Sequence, residues 1–487
     1  MDTVNPKVLR LLHCLLLSLA IGGIGLGAQA QPPAGSAQKP AQKQEEKPPE
    51  AKPLPQLNPD ARYDYQGEAT FVLQSLPKFH SPYEGGNSFG PRTETELTHS
   101  YTLYLGARLV KNLEAYINPE MALGRGLSNG SQGLAGYVNG DDIGQPALRP
   151  EPYLARYFLR WRIPMKHLGA HEGSEEARET QSGRAPNIID GKIPIHRLVV
   201  TVGKFAIADI FDVNSYANNA RTQFLNNAFG NNLAYDYAEE TRGYDLGAAI
   251  AWVNPSFAVR FGSFAMPTTA GGPDLAYNLS QDHSEQLEVE LHPRLLRGSK
   301  PPLIARLLGY RNVGNMGRYR DALAAQAAGM PPDISAIRKR GSAKYGFGLN
   351  MEQALGDGGA TGLFARLGWN DGATEDFAFS ETDRFLSLGG QLSGAHWGRK
   401  DDKVGVAFAN SDITAAHKAY LAAGGQGFVL GDGKLRYGSE QIIEAYYSYQ
   451  FTKLLALSLD YQFINNPGYN RDRGPASVLA LRTHLTF

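Results

Sequence analysis

The side chains best placed for chemistry are charged residues spaced in twos. Arg156, Arg160 and Arg162, with Phe158 among them, alternate with Tyr153, Ala155, Tyr157, Leu159, Trp161 and Ile163. In a strand that spacing puts the arginines on one face and the apolar set on the other. The same sorting recurs where Tyr101, Leu103, Leu105 and Leu109 oppose Thr102, Tyr104 and Arg108, and where Phe257, Val259 and Phe261 oppose Arg260. Carboxylates fall on the polar faces too, at Glu68, Glu114, Glu120, Glu288, Glu290, Glu352, Glu444 and Asp460. A wall carrying both signs, with Tyr104, Tyr116 and Tyr446, offers donors and acceptors to a neutral polyhydroxylated solute and rings to stack on it. For any one residue the plainer reading is a salt bridge that stiffens the wall.

Covalent chemistry finds no such support. The eleven histidines form no His-Glu-x-x-His pair, and no Gly-x-Ser-x-Gly elbow is present, so neither a zinc protease centre nor the familiar hydrolase nucleophile is marked. No metal or cofactor is expected. Asp371-Gly372 with Glu375-Asp376, or Asn465, Asn470 and Asp472, could hold calcium in a loop; solvated Asx-Gly turns are the simpler expectation. Lys plus Arg equal Asp plus Glu at 48 each, which argues against a nucleic-acid partner needing broad positive charge.

The elements that must position the charged faces are strands. Period-two segments bounded by Gly, Pro and Asn lie near 64–75, 98–109, 113–122, 153–163, 196–205, 243–252, 256–265 and 284–292, and again near 302–311, 343–353, 361–370, 384–394, 403–410, 438–451, 454–464 and 476–487. Connections at 111–112, 254–255, 356–360 and 452–453 are short. Those of opposite parity, near 76–97, 123–152, 206–242, 266–283, 312–342, 371–383, 411–437 and 465–475, are mostly long. The stretch Gln181 to Pro194 breaks the pattern, either as an insertion at a turn or as a misplaced strand.

About sixteen strands, with short turns at one end and long loops at the other, spell an all-β chain: a transmembrane antiparallel β-barrel with short periplasmic turns and long extracellular loops. The final strand agrees, with Leu479, Leu481, Thr483, Leu485 and Phe487 on one face and Ala480, Arg482, His484 and Thr486 on the other. In a dry sandwich core, burying the arginines would cost on the order of several kcal/mol each unless paired; a hydrated lumen is the cheaper assignment. Mean hydropathy is −0.34, as expected when only alternate residues meet lipid.

At the N-terminus, Lys7 and Arg10 precede an apolar run from Leu11 to Leu26 and then Ala28-Gln29-Ala30. This reads as a secretory signal, residues 1–30, cleaved after Ala30. Cys14, the single cysteine, goes with it, leaving no thiol or disulfide. Residues 31–60 are rich in Pro, Gln, Lys, Glu and Ala, a disordered periplasmic leader by composition, and 61–487 form one barrel domain.

The stretches His80-Ser-Pro-Tyr83, Leu103-Tyr-Leu-Gly106, Ile117-Asn-Pro-Glu120, Gly124-Arg-Gly-Leu-Ser128, Thr201-Val-Gly-Lys-Phe205, Asp209-Ile-Phe-Asp212, Phe224-Leu-Asn226, Gly368-Trp-Asn-Asp-Gly372, Glu375-Asp-Phe-Ala378, Leu459-Asp-Tyr-Gln462 and Asn470-Arg-Asp-Arg-Gly-Pro475 carry a resemblance to the carbohydrate-selective porins of the OprB family. The resemblance omits residues 31–60 and a charged insertion around His171 to Asn187. It implies a monomeric sixteen-stranded barrel in outer-membrane lipid and lipopolysaccharide, passing mono- or oligosaccharides down their gradient. It also implies solute contact at Arg108, Glu120, Arg156 and Arg160 on the wall. Asp209, Phe211, Asp212, Arg221 and Phe224 sit in the long connection after strand 196–205, where a loop could fold inward, although they could equally fasten that loop to the rim. Two other functions remain open: a barrel enzyme using an Asp/Glu, His and Ser drawn from separate strands, and a receptor or adhesin with a closed lumen.

Overall fold

The computed structural model describes residues 61–130, 133–141, 151–165, 176–179, 186–293, 303–377 and 379–487. The expected signal and leader, and most of the charged insertion, lie outside the described residues. The strands are β1 (Tyr63–Leu76), β2 (Glu94–Val110), β3 (Leu113–Leu123), β4 (Tyr153–Pro164), β5 (Glu176–Glu179), β6 (Gly191–Pro194), β7 (Arg197–Phe205), β8 (Asp245–Asn254) and β9 (Phe257–Ala265). They continue with β10 (His283–Leu291), β11 (Ile304–Met316), β12 (Lys339–Gly356), β13 (Thr361–Asn370), β14 (Arg384–Ser393), β15 (Lys403–Asp412), β16 (Glu440–Gln450), β17 (Leu455–Asn465) and β18 (Ala476–Thr486). All but β5 and β6 close into one antiparallel barrel of sixteen strands. Each strand read from the sequence is there. Ends move where, as in β12 from Lys339, the strand runs past the apolar belt and the lipid-facing signal fades.

The misfit at 181–194 is an insertion: β5 and β6 pair with each other within the β4–β7 connection, and no barrel strand is displaced. Closure falls on the last residue, where Gly67 and Phe487 exchange backbone hydrogen bonds of 2.8 and 2.9 Å, extending the β1–β18 pairing of Glu68 with Thr486.

Outside, Leu103, Leu159, Leu307, Leu388, Leu459 and Leu479 stand between 45% and 65% exposed, an apolar band too large for a water-facing surface. Trp161, Trp252, Phe451 and Phe487 mark its short-turn edge; Tyr345 and Phe347 lie toward the long loops, as the aromatic girdles of membrane barrels do. Among the described residues no helix is long and apolar enough to cross a membrane; the strands do the crossing.

One face assignment needs correction. Opposite Asn118 and Pro119, β4 carries an extra residue, since Asn118 pairs with Arg156 and Pro119 with Leu154. Proline cannot donate to the ladder, and a bulge at Ala155 absorbs the missing bond. Side-chain parity therefore flips below Arg156. Leu154 faces out, while Ala155 is buried and Tyr153 points inward instead of joining Tyr157 on the apolar face.

Inside, the connection 206–244 descends along the wall. Its carbonyls at Phe229 and Ala217 accept from Arg366 at 2.7 and 2.8 Å, and Arg366 pairs with Asp212 at 3.1 Å. Arg482 donates to the carbonyls of Gln223, at 2.7 Å, and Ala220. Glu288 accepts from the Asp212 amide at 2.7 Å, and Glu444 from those of Leu225 and Asn226. Tyr216 reaches a short turn, donating to the Gly359 carbonyl at 3.1 Å. Its ring lies where a Cβ on Gly362 would be, 2.1 Å away, so β13 needs a glycine there. Phe224 packs on Phe229 and Tyr446, with centroids 5.2 and 5.0 Å away, and seals loop to wall.

Replacing Arg366 with Met should release this loop without unfolding the barrel. Removing one partner of a buried pair costs about 3–5 kcal/mol, and the loop bears it. The variant should keep heat-modifiable gel mobility, conduct more per channel, and expose residues 206–244 to protease; unchanged conductance and protection would refute the anchoring role.

Candidate functional site

Between the inward connection and the wall formed by β1 to β4 and β7 to β11 lies a cavity of about 810 Å³. Its lining runs from Phe379 and Phe428 among the long loops to Pro186 and Arg306 near the short-turn end, so it follows the barrel axis.

The loop side is set by Arg221. Its Nε lies 2.6 Å from Asp141 Oδ1, its Nη2 3.1 Å from Glu120 Oε2, and its Nη1 donates to Glu68 and to Thr102 Oγ1. Burial alone would lower the Arg221 pKa, but Asp141, Glu68 and Glu120 hold it well above the ordinary arginine value. Glu120 is saturated. Besides Arg221 it accepts from Thr102, Tyr153 and Tyr244 at 2.6, 2.6 and 2.7 Å.

Next to this knot, Arg156 grips Asp209 through two bonds, 2.7 and 3.0 Å, and its guanidinium lies 4.9 Å over the Tyr244 ring. Arg242 covers Tyr153 at 4.5 Å. Arg160 donates to the Asn187 carbonyl at 2.9 Å and sits 5.2 Å over the rings of Tyr116 and Phe158. Farther round, Arg260 bridges Glu288 and Glu290 at 2.8 and 3.0 Å, and Arg306 bridges Glu290 and Glu352 at 2.8 and 3.3 Å. The arrangement presents forked donors, paired carboxylates and ring faces along the cavity, suited to exchanging hydrogen bonds with a polar solute.

Of the nine residues singled out by sequence, Glu120, Arg156, Arg160, Asp209 and Arg221 line the cavity together. The other four are held elsewhere. Arg108 pairs with Glu114 at 3.0 Å and donates to the Ala61 and Ile189 carbonyls. Phe211 and Phe224 are buried between loop and wall, and Asp212 is taken up by Arg366, Asn350 and the Asn232 amide. The polar face read as hydrated is divided likewise: Glu68, Glu120 and Glu290 reach the cavity, whereas Glu288, Glu352 and Glu444 accept from loop amides. Sequence reasoning missed Asp141, Arg242 and Tyr244, which lie in or beside irregular connections, and Tyr153, whose turn inward was signalled by Pro119.

The expectation of solvated turns at 371–376 and 465–472 holds for Asp371, Asn465 and Asp472, which are partly exposed, and is corrected for the rest. Glu375, Asp376 and Asn470 are buried; Glu375 pairs with Arg338, Asp376 with Lys344, and Asn470 bonds Asp432. These side chains tie loops to each other.

The family model of the carbohydrate-selective porins, OprB family, matches residues 87–487. The chain belongs to that family. It is an integral outer-membrane porin for the passive, selective diffusion of carbohydrates, and its family and fold are those of a transport channel. A high-pH structure of OprB from Pseudomonas putida is similar in fold, with a TM-score of 0.63 and 18% identity over 88% of this chain and 94% of that one. OmpT of Vibrio cholerae aligns at a TM-score of 0.42 and 10% identity, over 87% and 97% of the two chains. Among curated proteins, none matches the sequence. The long loops are thus extracellular and the short turns periplasmic.

Arg221→Met should leave Glu68, Glu120 and Asp141 without their shared cation. The pore should then shift toward cations, read as a reversal-potential change in a salt gradient. Arg221→Lys keeps the charge and should restore most of the ion selectivity but not the hold on the loop, because one ammonium cannot fork to three carboxylates. Unaltered ion selectivity in Arg221→Met would exclude Arg221 from the conducting path.

Proposed function

We propose that sugars cross through the 810 Å³ cavity and are selected chiefly by the Arg156–Asp209 fork, by Arg160 and by the Tyr244 ring, with Glu120 and Arg221 holding the opposite side in place. The observation that carries this reading is the lining that runs from the extracellular loops to the periplasmic end beside these groups. Its size falls in the roughly 300–1,000 Å³ typical of small-molecule sites, which favours mono- and small oligosaccharides. A hydroxyl entering the path exchanges water for a wall contact of about 0.5–1.5 kcal/mol net. Contacts that weak and that numerous allow release, as conduction requires.

The same reading takes the lining as a recognition surface without catalytic turnover, the barrel as a monomer in lipid and lipopolysaccharide, and residues 1–30 and 31–60 as signal and leader. Arg108 has no part in selection, since it is bound to Glu114 and to backbone carbonyls outside the lining.

The test is single-channel conductance in planar bilayers titrated with glucose and with disaccharides. Saturable sugar block is expected. Arg156→Ala and Arg160→Ala should each weaken block several-fold and lower anion permeability, while Arg108→Ala should leave both near wild type. Channels indifferent to every sugar would reduce the protein to a general porin, and equal effects at Arg108 and Arg156 would refute the proposed selection site.

A further inference from the structure

Where the extracellular connections 371–383 and 413–439 meet, four side chains converge away from the sugar path. Asp376, Glu381, Asp383 and His417 are at most 1% exposed, and each keeps one polar atom without a hydrogen-bond partner: Asp376 Oδ2, Glu381 Oε1, Asp383 Oδ1 and His417 Nε2. Their remaining atoms are committed. Asp376 Oδ1 is held by Lys344, Glu381 Oε2 accepts from the Val429 and Leu430 amides, and Asp383 Oδ2 accepts from the Thr414 amide at 2.6 Å. His417 Nδ1 stands 3.4 Å from Asp383 Oδ2 and 4.0 Å from Asp376 Oδ2. On the far side of the ring, Nε2 is 4.0 Å from Glu381 Oε1.

Among the described residues, the buried carboxylates Asp376, Glu381 and Asp383 meet one ammonium, Lys344, and one imidazole, His417. Negative charge at such depth is paired or coordinates a metal. Lys344 occupies only one oxygen of Asp376 and leaves the other directed at His417.

We propose that Asp376, Asp383 and His417 bind a first-row divalent cation, with Zn²⁺ the best match, which clips the two extracellular loops together. One donor atom from each of the three residues lies within 4.8 Å of the others. Nitrogen and carboxylate donors bind Zn²⁺ at about 2.0–2.2 Å, so separations of 3.4 and 4.0 Å need to tighten only slightly. A neutral imidazole with two carboxylates suits such an ion better than Ca²⁺, whose ligands are oxygens.

The surroundings match what ligating groups require. With Nδ1 on the metal, the Nε2 proton is aimed at Glu381, the kind of carboxylate that orients a ligating histidine. Lys344 fixes Asp376 in the same way. The Tyr319 ring stacks on the imidazole at 4.2 Å with planes 16° apart, and Thr414 caps the helix Ala415–Ala422 that carries His417. These partners come from three extracellular connections and from β12, so a cation at their centre braces the roof of the channel.

The test uses the full-length protein extracted from outer membranes in mild detergent. Elemental analysis should find about one divalent metal per chain. Chelation should remove it, increase protease cleavage of the extracellular loops and leave barrel mobility on gels intact; added ZnCl₂ should restore protection. In calorimetry of the chelated protein, Zn²⁺ should bind saturably. Asp383→Asn and His417→Gln should weaken that binding at least about tenfold, the loss that even an orienting contact can cause, while His292→Gln, at the periplasmic end, should not. Should a variant fail to fold, the wild-type titration still decides. Three outcomes would overturn the proposal: no metal as isolated and no saturable binding of Zn²⁺, Mn²⁺ or Ca²⁺ after chelation; Zn²⁺ binding equal in His417→Gln; or bound Zn²⁺ without effect on loop protection.

Discussion

The structure depends on fastening the backbone of an inward loop to charged side chains of the barrel wall. A barrel of sixteen strands encloses more space than its own side chains fill. Something must occupy that space, and a descending loop brings backbone amides and carbonyls that need partners once water is excluded. Arg366 and Arg482 serve the carbonyls, and Glu288 and Glu444 the amides. Each is a charge that would be costly to bury alone. Set against several backbone dipoles, it becomes an anchor, since hydrogen bonds to charged groups are stronger than neutral ones.

The loop thereby turns one wide lumen into two environments. On one side Phe211, Phe224 and Phe229 pack with Phe364 and Tyr446 into an apolar seam. On the other stand the arginines of β4 and β9 and the carboxylates opposite them, lining the solute path. Both are built from inward-facing positions of the same strands, and which one a residue joins depends on whether the loop lies over it. The apolar exterior is independent of that division, which is why mean hydropathy is low in a chain that lives in lipid.

This explains what could be read from the sequence. Strand number, order and outer face follow from period-two alternation, a local property, and all were legible, with the alternation of short and long connections fixing which end was which. The bulge at Ala155 was less so: alternation carried through it assigns Tyr153 to the wrong face, and only Pro119, on the neighbouring strand, marks the break. The site was half legible. Arg156 and Arg160 could be placed inward from their strand, but the pairing of Arg156 with Asp209, or of Arg221 with Glu68, joins residues 53 and 153 positions apart through a loop without period. Whether Asp212 met solute or Arg366 was open for the same reason.

Rigidity follows from the same constraint. Arg221 meets three carboxylates from three separate chain segments, so the loop tip is located by several bonds at once and can shift only by breaking them together. Selection by weak contacts needs such a wall. If the groups opposite the solute could yield, an ill-fitting sugar would be accommodated at little cost, and discrimination between solutes that differ by one hydroxyl would disappear. Strong, mutually satisfied ion pairs therefore belong in the anchors that hold the wall in place. The Arg156–Asp209 pair, whose carboxylate side chain is 37% exposed, stands in the path, where its contacts can be exchanged for water or for solute.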